Sequence, residues 1–142
     1  WRRTIYAQQR RKEIPTILEA FDLPQMNPNC VERPNSTVAS QALHLLNNQM
    51  VRELSLEFAK RVEKEAGDDR YRQVERAYQI ALARGPSNQE KQLALETIEK
   101  LTAAWKKQTA DSKTDDQLKP ETRALAALCH VVMNSAGFVF VD

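Results

Sequence analysis

The apolar positions of this chain recur at helical spacing in four places, and each place has the punctuation of a helix. From about Val38 to Ala66, Ala39, Leu43, Leu46, Met50, Leu54, Phe58 and Val62 follow one another at intervals of three and four, which predicts one long helix with a single apolar stripe. Thr37 precedes it as a cap, because its hydroxyl can accept a free first-turn amide. Gly67 follows it and can take the left-handed conformation that ends a helix. A second helix is predicted from Asp69 to Arg84, with Tyr71, Val74, Tyr78, Ala81 and Leu82 inward, Asp68 or Asp69 as cap, and Gly85-Pro86 as stop. Ser87 and Glu90 then form a capping box, in which hydroxyl and carboxylate satisfy each other's backbone amides. They open a third helix with Ala94, Ile98, Leu101 and Trp105 on one face. So short a turn between the second and third helices predicts antiparallel packing. The stretch Thr109 to Lys119 is polar and reads as a loop. A fourth helix starts near Pro120 and places Leu125, Leu128, Cys129 and Val132 together.

The two ends read differently. Residues 1 to 36 hold four of the six prolines, Pro15, Pro24, Pro28 and Pro34, each of which removes a backbone donor. One short helix around 3 to 12, then a half-extended stretch with a turn at Ile17 to Phe21, is the form this predicts. At the other end, Phe138 to Val141 reads as an apolar extended tail. The expected fold is therefore all-α: an irregular bundle of four to five helices in a single domain, with a proline-rich wrapping arm over 1–36, a helical core over 37–142 and a short extended tail. No repeat with a period of 20 to 50 residues is visible.

Composition agrees with a packed domain. A chain of 142 residues can bury roughly 68% of its unfolded surface, and 42% hydrophobic with 28% charged residues is the balance of a globular protein. The 21 basic and 19 acidic residues nearly cancel, to +2, so no global field favours nucleic acid. Only the start is lopsided: Arg2, Arg3, Arg10, Arg11 and Lys12 meet no acid before Glu13, which makes them a candidate contact arm. No stacking aromatics interleave as a single-strand binder needs, so a solvated face or a contact within the parent protein is the simpler account. No apolar run approaches the roughly 20 residues of a membrane span. The chain starts at Trp1 and carries no signal peptide of its own, and it reads as a fragment of a larger protein.

Candidate chemistry is sparse. Two cysteines and two histidines are too few and too scattered for a structural zinc site, and no metal or cofactor is expected on this fragment. Covalent haem c needs CxxCH, and the residue three before Cys129 is Ala126. Neighbours on a helix diverge by about 100°, so Cys129 and His130 do not share a reaction centre, and a buried small thiol beside a flanking histidine is the expectation. Cys30 and Cys129 can alternatively pair; the chain-entropy model then gives about 4 to 5 kcal/mol. His44 lies off the Leu43 stripe, and with Arg33, Asn47 and Asn48 it outlines a candidate polar groove for a ligand or a neighbouring domain. No carboxylate at helical spacing orients the imidazole as a general base requires.

Five stretches carry a family resemblance: RRTIY (Arg2 to Tyr6), AFDLP (Ala20 to Pro24), STVASQALHLLNNQMV (Ser36 to Val51), LARGPSNQE (Leu82 to Glu90) and LCHVVMNSAGFVFVD (Leu128 to Asp142). Together, and in this order, they resemble a domain of unknown function (PSD type) found at the C-terminal end of large planctomycete proteins, often downstream of a cytochrome-c-like region. Two positions depart from that pattern: Ser40 stands where a proline is expected, and Asn48-Gln49 where an aspartate-proline is expected. The family has no catalytic residues to carry over. The resemblance implies that the parent is a large exported bacterial protein and that any haem belongs to another domain. The expected role is a non-catalytic accessory or interaction module that docks onto other domains of its own chain. The alternative is part of an enzyme active on an extracellular polymer, its site shared with upstream domains and completed by His44 with Asn47 or Arg33.

Overall fold

The computed structural model describes Phe21 and residues 39–111 and 118–139. The described residues form six helices and no strand: α1 (Ala39–Asn47), α2 (Gln49–Ala66), α3 (Arg70–Leu82), α4 (Asn88–Asp111), α5 (Pro120–Met133) and α6 (Ala136–Val139). The all-α reading holds. The chain divides into two compact units, residues 1–45 and 46–142. That division falls inside α1, later than the arm–core boundary at residue 36 read from the prolines. In the first unit Phe21 lies in a turn, and the remainder of the arm and the helix expected at 3–12 lie outside the described residues.

The predicted long helix is two helices. Asn48 breaks it, adopting an extended backbone (φ −67°, ψ 128°), and its side-chain oxygen accepts the Met50 amide at 2.8 Å. Asparagine competes for backbone hydrogen bonds with its own side chain, which makes it a poor interior residue and a strong cap. The aspartate-proline expected at 48–49 is itself an N-cap followed by a first-turn proline, so the signal for this break was present in the pattern.

The stripe also sits in a different register. Leu43 is 57% and Leu46 48% exposed, while the buried face of α2 runs through Val51, Ser55, Ala59 and Val62. Two of those four are small, and small side chains let a neighbouring backbone come close. The neighbour is α5, the central helix of this unit, which packs on both α2 and α4. Its inward positions Leu125, Leu128, Cys129 and Val132 recur at three, four and seven and meet Val62, Val74, Ala77, Ala94 and Ile98 in one cluster. The Ser55 hydroxyl is satisfied by the Val51 carbonyl at 2.7 Å, so its burial leaves no unpaired donor.

Junctions elsewhere follow local chemistry. Gly67 ends α2 with φ 69° and ψ −152°, a region open only to glycine rather than the ordinary left-handed cap. Asp69 accepts the Tyr71 and Arg72 amides and starts α3. That helix stops at Ala83, which takes the left-handed conformation (φ 54°) ahead of the expected Gly85-Pro86 stop. The Ser87–Glu90 capping box forms as predicted, with the Ser87 amide donating to Glu90 at 2.7 Å and the Glu90 amide to Ser87 Oγ at 3.2 Å. Arg84 grips the same carboxylate through two bonds of 2.8 and 2.7 Å. Helices α3 and α4 run back along each other, as Lys91 pairing with Glu75 at 2.9 Å shows near the turn. Tyr71, expected inward, is 61% exposed; Gln73 is buried in its stead, donating to the Gly67 carbonyl at 2.5 Å and accepting from Arg70 at 3.2 Å.

At the far end α4 continues to Asp111, into the expected loop, and α5 begins at Pro120 as predicted. The tail is not extended where it is described: Phe138 and Val139 belong to the single turn α6, whose amides return to the Ser135 carbonyl at 3.0 and 3.1 Å. Bonding to that carbonyl is the nearest way to satisfy donors just past a helix end.

Candidate apolar groove

Helix α5 carries a second face. Arg123, Ala126, Ala127 and His130 recur at three, four and seven, the same spacing as the buried set but displaced around the helix. They line a groove of about 690 Å³, within the size range of ligand sites. Its floor is low because two of these four residues are alanines. One wall comes from α2 through Arg52, Ser55 and Leu56, another from α4 through Trp105, and the ends from Leu46 and Leu118. The Arg123 guanidinium lies 5.2 Å from the centre of the Trp105 ring, a cation–π contact that fixes both groups at the rim. Among the described residues that line it there is no carboxylate, whereas each of the other described cavities has at least one.

The candidate residues from the sequence are placed as follows. Asn47 lines the groove beside Leu46. Asn48 is engaged as the α2 cap. His44 belongs to the first unit, where it is half-buried and meets the Phe21 ring edge-on, with centroids 6.4 Å apart and planes at 81°. Arg33, Cys30 and the basic set Arg2, Arg3, Arg10, Arg11 and Lys12 lie outside the described residues. Cys129 is a buried free thiol, and burial pushes it up to about 12, too high to form a nucleophilic thiolate near neutral pH; the alternative pairing with Cys30 involves a residue outside the described ones. His130, expected only as a flanking histidine, is a groove residue. The signal that would have found it is the Arg123, Ala126, Ala127, His130 spacing, easily passed over because alanines fit a core as well as a floor.

Two polar clusters are structural. Glu90 is held down at about 2 by the Arg84 guanidinium and the Ser87 amide. Arg61 and Arg76 converge on Glu65 and lower its carboxyl. Among the described residues no three His, Cys, Asp or Glu side chains are placed to hold a metal, and no helix is long and apolar enough to cross a membrane.

No curated protein and no solved structure matches the chain. A family model does match, over residues 1–98, a span that reaches from the N-terminal arm to the middle of α4. The chain therefore belongs to the PSD1 family, proteins of unknown function (DUF1553).

Proposed function

We propose that this domain is a non-catalytic interaction module that docks other domains of its own chain through the groove on α5. The observation that carries the reading is the α5 helix itself: one face is sealed in the core while the other, built on Ala126 and Ala127, leaves a mostly apolar cleft open to solvent. Leu46 at its end is 48% exposed, and apolar surface gathered in a concave site is characteristic of a binding surface. The family resemblance supports the accompanying picture of an exported planctomycete-type parent with any haem in another domain. The experiment is to prepare this domain and the remainder of its parent chain separately and measure their association by calorimetry. Binding that is lost on Ala127→Gln, which fills the floor, supports the reading. No association at about 100 μM, a concentration at which even weak domain interfaces register, sinks it.

A further inference from the structure

We draw no further inference here: the strongest candidate, the trough between α3 and α4 where two adjoining cavities share Tyr71, Leu95 and Glu99, mixes Lys91 and Lys106 with Glu96 and Glu99 along its length, and nothing in the structure shows what covers it.

Discussion

The inner and outer faces of α5 share one helix and opposite fates. Leu125 and Cys129 on the inner face are fully buried, and Ala124 beside them is too, while Arg123, Ala126, Ala127 and His130 remain only partly covered. The inner set is filled by branched and sulfur side chains packed against α2, α3 and α4. The outer set is small or basic, and the described residues around it leave a cleft above the two alanines. The lesson is that the same periodicity can serve stability on one side and recognition on the other, and that side-chain size separates the two. Close packing makes a core intolerant of lost volume, whereas an open cleft has no packing to lose.

The largest expected effect falls on the thiol of the inner face. In a Cys30→Ser background, Cys129 should react with a thiol reagent about 1000-fold more slowly in the native state than in denaturant, because reaction waits for opening of the core. Labelling at the denatured rate would show that the inner face is not sealed. The raised pKa has a signed consequence: below pH about 9 Cys129 is neutral whether folded or unfolded, and its contribution is lost as pH rises from there through about 12. Next, Leu125→Ala should destabilise by about 3 kcal/mol, read by denaturant unfolding, since it removes a fully buried side chain and leaves a cavity.

Smaller effects belong to the junctions that hold the two faces in place. Gly67→Ala should cost about 1 to 2 kcal/mol although nothing lies within 4 Å of the added methyl, because the positive φ is the obstacle and not space. A neutral result in a thermal melt would mean that the junction relaxes. Glu90→Gln should remove a pH dependence rather than a large energy. The Glu90 carboxylate is lowered in the folded state, so its contribution is present above its ordinary value near 4.5 and lost as pH falls toward about 2. Acid unfolding curves of the two proteins should converge below that window. Smallest of all, Ala127→Gln on the outer face should change stability by less than about 0.5 kcal/mol. A much larger loss would mean that the groove is part of the core after all, and would break the comparison at its other end.

Much of the helical plan could be read from the chain, and the failures share a cause. The Asp69 cap, the Ser87–Glu90 box and Pro120 were legible because each is a local device whose partners lie within a few residues. The Asn48 break was overlooked because the apolar periodicity runs through it, from Leu46 to Met50, without interruption. Tyr71 and Gln73 exchanged roles because burial on α3 depends on which face meets α5, and Gln73 can go inward once its amide reaches the Gly67 carbonyl. The groove was missed for the same reason, since two alanines reveal a floor only when the neighbouring walls are known. His44, singled out for its polar neighbours, is packed against Phe21 in the first unit.

By itself, then, the sequence determined what is local: which segments coil and where most of them start. Only the tertiary structure decided which face of each helix turns inward, because that depends on the size and shape of partners far away in the chain. The register of α2 follows from how closely Ser55 and Ala59 let α5 approach, the burial of Gln73 from the Gly67 carbonyl within its reach, and the cleft on α5 from the walls that stand around Ala126 and Ala127. Periodicity alone carries no record of that distance.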